Sequence, residues 1–402
     1  MLSYPFKICD PVHGFIRFGE IEKQVIDSTP FQRLRYIRQM GVAYLVYPGA
    51  THTRFEHSLG VMELVTRLYH SLTSPHNRLV PLPKAAEEVE YWLMILRIAA
   101  LCHDMGHPPL SHTAEKYLLP DGGHEGMTRK IICSAEMHAI WKQIGSHAEE
   151  DILKLSIEES GLPLTPWESL LTKVITEDSF GADRMDYLIR DGHYTGVGYG
   201  HFDYHQLIDS MRILKELTLG ITASGMQSVE SLWIARYMMY ERVYQHPTAR
   251  VYSNHMRRFI QRTYTTPIDA DVETFLEHTD YTLLTLLAQS AKEGEYDARC
   301  LLKRAPPFSE ILLPPDASLE ELQERFGEDL FIDQIPQKEI KAPFPVYGSD
   351  HVIRSCFEVS PFLRNIPPGG KPICVYAHPK AKLLEDYCGS HGSCRRKINL
   401  PS

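Results

Sequence analysis

The chain has 402 residues, a formal net charge of −9 at pH 7 and eight cysteines. The acidic balance argues against an extended nucleic-acid-binding surface, because phosphate neutralisation needs an excess of lysine and arginine on some face. The cysteines follow no disulfide spacing, the first residues lack the apolar core of a secretory signal, and no run of about 18 apolar residues marks a membrane span. We therefore expect a cytoplasmic protein with reduced thiols and no membrane partner.

The first part of the chain combines turn signals with helical periodicity. The sequence Asp10-Pro-Val-His-Gly14 predicts a turn, and residues 15–18 predict a short extended segment. Apolar residues at helical spacing predict a helix over 21–40, which restarts at Pro30 because proline suits a first helical turn. After a further turn, an amphipathic helix carries His57.

Helical periodicity continues to about residue 300, with one interruption. Residues 211–224 alternate apolar and polar side chains and predict a β-hairpin. Beyond Ala305-Pro-Pro307 the pattern changes to one helical stretch at 319–326 and short β-type runs at 310–313, 330–332 and 374–376. We predict a mainly α protein with a helical core over 1–300 and a small α+β appendage over 301–402.

The stretch Leu-Cys-His-Asp-Met-Gly-His-Pro-Pro-Leu-Ser-His at 101–112 concentrates chemically active side chains. Adjacent helical residues diverge by only about a quarter turn, so His103 and Asp104 can both reach one ion at the end of an apolar helix. Gly106, Pro108 and Pro109 then stop the helix and let His107 and His112 line a cavity. The alternative is a helix end whose histidines make ordinary hydrogen bonds.

His57 upstream and Asp183 downstream complete a candidate metal set with His103 and Asp104. Two imidazoles and two carboxylates suit Fe, Mn, Zn or Ni, and these residue types do not choose among them. Such an ion lowers the pKa of bound water from about 15.7 to roughly 7, which supplies hydroxide at neutral pH. The set therefore predicts metal-dependent hydrolysis.

The set resembles that of the HD metal-dependent phosphohydrolases, which implies an HD-type helical fold. Blocks at 10–14, 31–37, 55–60, 101–104, 183–191 and 244–246 are similar to those of the deoxynucleoside triphosphate (dNTP) triphosphohydrolases. The resemblance implies hydroxide attack on the α-phosphorus, release of a deoxynucleoside and inorganic triphosphate, and Mg²⁺ on the substrate phosphates. The appendage matches more loosely.

A leaving alkoxide needs a proton, so a general acid is expected beside the metal. Glu115 lies three residues after His112, which places both on one face of a predicted helix. By resemblance, His107, Glu115 and His124 form the catalytic set, and His112 contacts phosphate or protonates the leaving oxygen. Glu115 stands where the family usually has aspartate, one methylene shorter. The alternative for His124 is a surface loop histidine.

The phosphate contacts follow from the same resemblance. Arg54 precedes His57 by three residues and so lies on its helical face, and Arg184 follows Asp183 directly. Both resemble phosphate-holding positions, although the family commonly has lysine where this chain has Arg184, which keeps the charge and changes the geometry.

The sugar and base contacts are also implied by resemblance. Gln39 and Asp191 resemble the groups that bond the 3′-hydroxyl, and Tyr244 would exclude a 2′-hydroxyl by crowding the ribose. Met40 and Gln245 correspond to contacts at the base or sugar edge. Tyr187 forms one helical stripe with Asp183 and Asp191, which could alternatively be a solvated helix face.

Relatives in this family are activated by nucleotides bound between subunits. The residues that read and stack on the activating base correspond to Asp27, Gln32 and Arg35 of this chain. The basic residues of a second regulatory site correspond to uncharged ones, namely Gln206, Thr222 and Ser224. We expect a homo-dimer or homo-tetramer with a dNTP substrate, in which an activating nucleotide acts more simply or not at all.

Two other functions fit parts of the pattern. The same metal set could serve a phosphohydrolase of nucleoside monophosphates or other phosphoesters, or a catalytically weak nucleotide-sensing oligomer. Near the C-terminus, four possible zinc ligands follow no defensible spacing and favour a flexible tail over a second metal site; they are Cys374, Cys388, His391 and Cys394.

Overall fold

The computed structural model describes residues 3–84, 88–119, 122–158, 160–269, 271–311, 313, 317–334, 343–367 and 373–381. Helices dominate it, as expected for a mainly α protein. Within the described residues the α-helices are α1 (Glu20–Asp27), α2 (Thr29–Arg33), α3 (Arg54–Thr73), α4 (Val89–Cys102), α5 (Glu115–Leu118), α6 (Gly123–Ile132), α7 (Ala135–Trp141), α8 (Ala148–Ser156), α9 (Pro166–Thr176), α10 (Ala182–Thr195), α11 (Tyr204–Ser210), α12 (Met226–Met239), α13 (Pro247–Thr263), α14 (Val272–Glu277), α15 (Asp280–Glu293), α16 (Tyr296–Leu302), α17 (Leu319–Phe326), α18 (Cys356–Val359) and α19 (Pro361–Asn365).

Short strands form three small sheets. The described strands are β1 (Phe6–Asp10), β2 (Gly14–Phe18), β3 (Met211–Ile213), β4 (Leu219–Thr222), β5 (Ser309–Ile311), β6 (Leu330–Gln334), β7 (Pro345–Tyr347), β8 (Ile353–Ser355) and β9 (Ile373–Ala377). The sheets have the orders β1-β2, β3-β4-β7-β8 and β5-β9-β6. Among the described residues, no helix is both long and apolar enough to cross a membrane.

Helices α3 and α4 lie at the centre of the hydrophobic core. Almost every residue of α4 from Trp92 to Cys102 is buried, as expected for a helix that is apolar on all sides. Arg97 is the charged exception, and its guanidinium forms an ion pair with the buried Glu22 and donates a 2.7 Å hydrogen bond to the carbonyl of Arg17. The pairing offsets the cost of burying its charge.

The N-terminal turn and extended segment are confirmed. Strands β1 and β2 pair antiparallel, with Asp10 opposite Gly14. Asp10 Oδ2 accepts hydrogen bonds from the backbone N–H groups of Val12 at 2.9 Å and His13 at 2.8 Å. Gly14 has a φ of +75°, a conformation that glycine adopts without the penalty of a side chain. These features fix the turn between the two strands.

The predicted helix over 21–40 is wrong in its last part. Helix α2 starts with Pro30 in its first turn, as expected, but a 3₁₀ turn after it ends at Tyr36. The chain is extended at Ile37 and pairs there with the segment before α3: Gln39 donates its backbone N–H to the carbonyl of His52 at 3.1 Å, and Arg54 donates its own to Ile37 at 2.9 Å. A tertiary contact therefore replaces the helix that local periodicity favoured.

The predicted hairpin at 211–224 is confirmed by the antiparallel pairing of β3 and β4. The predicted helix at 319–326 is α17, and the short β-type runs predicted at 310–313, 330–332 and 374–376 correspond to β5, β6 and β9. Strand β7, from the region after residue 300, pairs in parallel with β4 of the hairpin. The division of the chain at residue 300 stays a prediction.

Candidate active site and metal centre

Four side chains from three parts of the chain converge at one corner of the core. His57 Nε2 lies 2.9 Å from Asp183 Oδ1 and 3.6 Å from Asp104 Oδ2. His103 Nε2 lies 3.6 Å from Asp104 Oδ1 and 3.7 Å from Asp183 Oδ1. The structure thus brings together all four residues that the sequence suggested as metal ligands. For His57, His103 and Asp104, the possible ligand atoms all lie within 4.8 Å of one another.

Helix geometry explains the convergence. Helix α3 carries His57 in its first turn, α4 ends at Cys102 so that His103 and Asp104 follow directly, and Asp183 occupies the first turn of α10. A carboxylate at that end of α10 is favoured by the helix dipole. Gly106, Pro108 and Pro109 lie beyond the end of α4. The helix therefore stops slightly earlier than these helix-breaking residues suggested.

His103 is held in the orientation that a metal ligand needs. Its Nδ1 donates a 2.8 Å hydrogen bond to the carbonyl of Ala100, which leaves the lone pair on Nε2. That Nε2 atom is buried and has no hydrogen-bond partner within the described residues. A buried polar atom without a partner is costly, and a cation among His57, Asp104 and Asp183 would remove that cost. The residues present therefore fit a divalent metal ion.

The electrostatics of this corner favour positive charge. Burial would by itself lower the pKa of His57, but hydrogen bonds to Asp183 and Asp186 raise it to about 10. Burial would also raise the pKa of Asp104, yet the nearby Arg54 guanidinium and the imidazoles hold it well below its usual range. The carboxylates thus stay ionised and draw a positive charge toward them.

A second group of histidines adjoins this corner. His107 Nε2 lies 3.2 Å from Asp104 Oδ1, and the His107 ring stacks on His124 with centroids 4.0 Å apart. Glu115 joins the group, because its carboxylate accepts from His112 Nδ1 at 2.8 Å and from His124 Nδ1 at 2.5 Å. His124 is therefore tied to the site and is not an isolated loop histidine.

The backbone of this second group differs from the prediction. His112 and Glu115 do not share one helix: His112 lies in a short 3₁₀ turn and Glu115 begins α5. Leu110 and Ser111 before them adopt the left-handed conformation, with φ of 56° and 53°. Burial alone would raise the pKa of Glu115, but its hydrogen bonds from His112 and His124 lower it. An ionised Glu115 can orient both imidazoles.

Burial and the nearby Arg54 charge hold the pKa of His107 well below its usual range. His107 is therefore a neutral imidazole at neutral pH. Its backbone carbonyl accepts a 2.9 Å hydrogen bond from Arg33 Nη1, so the buried Arg33 fixes the main chain at this point. Sequence reasoning missed Arg33, although it lies in the matching block at 31–37.

The two arginines suggested as phosphate contacts have different surroundings. Arg54 is buried, forms an ion pair with Asp104 and donates from Nε to Ser111 Oγ at 2.7 Å, so it lies directly beside the histidine–aspartate corner. Arg184 Nη2 donates to Asp178 Oδ1 at 2.8 Å, and its Nε donates to the Tyr187 hydroxyl at 3.4 Å. Arg184 would have to give up its bond to Asp178 in order to contact a phosphate.

The suggested sugar contacts also lie together. Asp191 is buried, and its two oxygens accept from His52 Nε2 at 2.7 Å and from the Tyr244 hydroxyl at 2.8 Å. Burial, followed by the charge of Asp191, raises the pKa of Tyr244, so this hydroxyl remains a neutral donor. Asp191 is therefore not part of a solvated helix face, which was the alternative for the Asp183–Tyr187–Asp191 stripe. Sequence reasoning missed His52.

The remaining suggested contacts surround this pair. The Tyr187 ring lies 6.4 Å from that of Tyr244, in the edge-on arrangement. Gln39 Oε1 is buried without a hydrogen-bond partner in the described part of the chain, which leaves an acceptor available to a ligand. Met40 is partly buried against the core, and Gln245 is buried. Tyr244 ends a π-helical turn over Tyr240–Tyr244, a feature frequent at functional sites.

The suggested regulatory residues lie on α1, on α2 and in the 3₁₀ turn after α2. Gln32 Oε1 accepts from Arg35 Nε at 2.9 Å, and the Arg35 guanidinium lies 3.5 Å from the centroid of the Phe55 ring. The exposed Asp27 pairs with Lys23 at 2.6 Å. Of the four C-terminal residues considered as zinc ligands, Cys374 is buried in β9, and Cys388, His391 and Cys394 lie outside the described residues.

The residue that sequence reasoning missed most clearly is Asp186. It is fully buried, and its Oδ2 accepts a 2.8 Å hydrogen bond from His57 Nδ1, on the side of the ring away from the candidate metal position. The signal for it was present, since Asp186 lies one helical turn after Asp183 in a block that the sequence had singled out.

Family models match two parts of the chain. The model described as the HD domain matches residues 54–191, which include the whole histidine–aspartate corner. The model described as the HD associated region matches residues 202–312.

Several known proteins are similar to this chain. An uncharacterized protein of Methanocaldococcus jannaschii is 32% identical over 400 residues, which span 94% of this chain and 80% of that one. The deoxynucleoside triphosphate triphosphohydrolase SAMHD1 of Bos taurus is 31% identical over 341 residues, 74% of this chain and 56% of that one. The chain thus spans little more than half the length of this second relative.

Solved structures share the fold. A hypothetical protein from Aquifex aeolicus aligns with a TM-score of 0.79 and 34% identity, over 95% of this chain and 98% of that one. A phosphohydrolase from Bacteroides thetaiotaomicron aligns with a TM-score of 0.75 and 22% identity, over 92% of this chain and 98% of that one, and at that identity the likeness concerns the fold.

Proposed function

The chain belongs to the HD-domain family of phosphohydrolases, and we propose that it hydrolyses dNTPs to a deoxynucleoside and inorganic triphosphate. One observation carries the proposal. The histidine–aspartate corner, formed by His57, His103, Asp104 and Asp183, lies beside the second group of histidines, which Glu115 joins. Arg54 forms an ion pair with Asp104 of that corner. Metal ligands, a proton donor and a cation are what cleavage at a nucleotide phosphate requires.

In the proposed reaction, a water oxygen bonds to the α-phosphorus and the bond from that phosphorus to the 5′-oxygen breaks. His57, His103, Asp104 and Asp183 would hold a divalent cation, with Fe, Mn, Zn and Ni as candidates and Mg²⁺ as a further ion on the phosphates. Such a cation supplies Lewis acidity and makes hydroxide available at neutral pH. Arg54 would place positive charge beside the phosphates.

The leaving 5′-oxygen needs a proton. His112 is our candidate donor, because its side chain is 70% exposed and Glu115 holds its Nδ1. Once protonated, the imidazole can donate from Nε2 to the oxygen and regain a proton from solvent. His124, on the same carboxylate, and the neutral His107 complete the group.

Tyr244 and Asp191 support a deoxyribose substrate. Their mutual hydrogen bond fixes the Tyr244 ring, and a fixed ring can exclude a 2′-hydroxyl by its bulk. The second oxygen of Asp191 is held by His52, so the carboxylate keeps one orientation toward a 3′-hydroxyl. Gln39, whose buried acceptor has no partner in the described residues, is the second candidate for that hydroxyl.

We also propose a homo-dimer or homo-tetramer whose activation by nucleotide is simple or absent. Thr222 and Ser224, which replace basic residues of a second regulatory site, bond to each other at 2.8 Å and carry no charge for a phosphate. A rate-versus-substrate curve that GTP and dATP leave unchanged supports this part of the proposal. A strongly sigmoidal curve overturns it.

Product analysis tests the function. The purified protein is incubated with each dNTP, each NTP and each nucleoside monophosphate, with Mn²⁺, Fe²⁺, Mg²⁺ and Zn²⁺ supplied separately. Ion-exchange chromatography then distinguishes triphosphate from pyrophosphate and phosphate. Triphosphate with a deoxynucleoside is the expected result, and Asp104→Asn should abolish it. Release of phosphate from monophosphates would favour the broader HD phosphoesterase, and a metal-loaded protein without turnover would favour a nucleotide sensor.

A further inference from the structure

The carboxylate of Asp186, beside the histidine–aspartate corner, makes several hydrogen bonds. It accepts from His57 Nδ1 at 2.8 Å, from His13 Nε2 at 2.6 Å, and from Arg190 Nε and Nη2 at 2.8 and 3.0 Å. Asp186, Arg190 and the His13 side chain have no exposed surface. Four donors on one buried carboxylate leave it a single orientation.

Arg190 extends this contact to the N-terminal turn. Its Nη1 donates to Asp10 Oδ1 at 2.7 Å, and Asp10 Oδ2 caps the backbone N–H groups of Val12 and His13. The turn between β1 and β2 therefore supplies His13, which bonds to Asp186, and Asp10, which bonds to Arg190. The proposed chemistry itself assigns no task to this turn.

Helix α3 leaves room for Asp186 at one position. A Cβ atom on Gly60 would lie 2.0 Å from Asp186 Oδ1 and 2.4 Å from Arg190 Nη2. Gly60 is three residues after His57, on the same face of α3. The absence of a side chain at Gly60 is what lets Asp186 approach the helix closely enough to reach His57.

We propose that Asp186 is a positioning residue that keeps the proton of His57 on Nδ1 and directs the Nε2 lone pair toward the cation. In this proposal the Asp10–Gly14 turn and Arg190 act together to hold Asp186 in place. The Arg190 guanidinium pairs with Asp186 and Asp10 and has Glu56 at 3.9 Å, and the excess negative charge makes His57 Nε2 a better electron-pair donor. The inference rests on the metal site of the proposed function, and it does not depend on which phosphoester is cleaved.

Metal binding to the full-length protein tests the proposal without measuring turnover. Co²⁺ is titrated into wild type and Asp186→Asn, and both the affinity and the visible absorption of bound Co²⁺ are recorded. We expect about 10- to 100-fold weaker binding and a changed spectrum in the variant, the usual result of removing a group that orients a metal-binding histidine. A folded variant with wild-type affinity and spectrum would overturn the proposal.

Asp297→Asn is the matched control. Asp297 is also fully buried, also accepts from a histidine Nδ1, that of His255 at 2.6 Å, and also pairs with an arginine, Arg262, at 2.6 Å. It contacts none of the candidate metal ligands among the bonds described. Loss of a buried carboxylate should destabilise both variants, but only Asp186→Asn should weaken Co²⁺ binding. If both variants bound Co²⁺ equally weakly, the loss would reflect general destabilisation, and a positioning role for Asp186 would be refuted.

Gly60→Ala provides a second test that keeps every charge and ligand. Alanine ordinarily favours a helix over glycine, so the change should not harm α3 itself. The added methyl group must displace Asp186 or Arg190, and we expect weaker Co²⁺ binding as a result. Wild-type binding by this variant would contradict the proposed contact.

A measurement on wild type applies even if both variants fail to fold. With ¹⁵N-labelled histidine and ¹¹³Cd²⁺, His57 should keep its proton on Nδ1 and show coupling between cadmium and Nε2. Coupling to Nδ1 would overturn the proposal. If cadmium couples to Nε2 but no dNTP is hydrolysed, the positioning role stands and the proposed substrate fails, so the two failures are distinguishable.

Discussion

The hydroxyl group of Tyr244 donates a 2.8 Å hydrogen bond to Asp191 Oδ2. This bond joins the π-helical turn after α12 to the middle of α10, two segments that are far apart in the chain. It fixes the Tyr244 ring close to Tyr187, where a nucleoside sugar would lie if the proposed function holds. Sugar selectivity should therefore depend on this ring.

Substitution of Tyr244 should separate binding from selectivity. Tyr244→Phe keeps the ring and loses the bond to Asp191, so we expect KM for dNTPs to rise several-fold while NTPs remain poor substrates. Tyr244→Ala removes the ring, and we expect the ratio of kcat/KM for dATP over ATP to fall by about tenfold or more, since it removes a steric barrier. Steady-state kinetics with both nucleotides measures this. An unchanged ratio in Tyr244→Ala would show that another group excludes the 2′-hydroxyl.

Arg33 should support both stability and catalysis. It donates to the carbonyl of His107 at 2.9 Å and to that of His278 at 3.0 and 2.7 Å, and its guanidinium lies over the Phe275 ring. Arg33→Met leaves both carbonyls unpaired, and we expect the free energy of unfolding to fall by about 3 kcal/mol, with a lower kcat because the His107 backbone is released.

Urea denaturation measures the stability of the Arg33 variant, with Arg325→Met as the control. Arg325 is exposed, so its substitution should change the free energy of unfolding by less than about 0.5 kcal/mol. If Arg33→Met is as stable as this control, the hydrogen bonds of Arg33 contribute nothing to the fold.

Asp280 should make stability depend on pH. Burial raises its pKa to about 6 although it accepts from the backbone N–H groups of Leu110 at 2.7 Å and Arg38 at 3.0 Å. The folded-state pKa lies above the ordinary value of 3.8, so the stability that Asp280 contributes is complete below pH 3.8 and is lost as pH rises through 6. Relative to Asp280→Asn, wild type should lose about 2 kcal/mol between pH 4 and pH 7.

Urea titrations of wild type and Asp280→Asn at pH 4, 5, 6 and 7 provide this comparison. The variant cancels contributions from other titrating groups, because they are common to both proteins. A difference in the free energy of unfolding that stays constant or increases with pH would show that Asp280 ionises in the fold as easily as in the unfolded chain.

Metal addition should stabilise the protein through its candidate ligands. A cation present at 100 times its dissociation constant adds about 2.7 kcal/mol to the free energy of unfolding, if it binds only the folded state. We expect Mn²⁺ or Co²⁺ to raise Tm and EDTA to reverse the rise. Asp183→Asn should abolish the rise without unfolding the protein, because the Asp183 side chain is 34% exposed. An equal rise in Tm for this variant would place the cation elsewhere.

The sequence by itself determined the features that depend on short spacing. Periodicity over a few turns located α17 and the β3–β4 hairpin, since a helix face and a strand face repeat locally. The residues of the histidine–aspartate corner were recognisable because few residue types bind divalent metals, and His103 with Asp104 share one helix end. The remaining site predictions came from the family resemblance of the matching blocks, which occur in order along the chain.

Only the tertiary structure decided which partner each polar group takes. Local periodicity continued the helix past Tyr36, but pairing with residues 52–54 made the chain extended there. Arg184, a predicted phosphate contact, pairs with Asp178, and Asp186, one turn from Asp183, bonds to the other side of the His57 ring. The physical reason is that hydrogen-bond partners depend on how helices approach each other, as at Gly60 between α3 and α10, and no spacing along one helix specifies that distance.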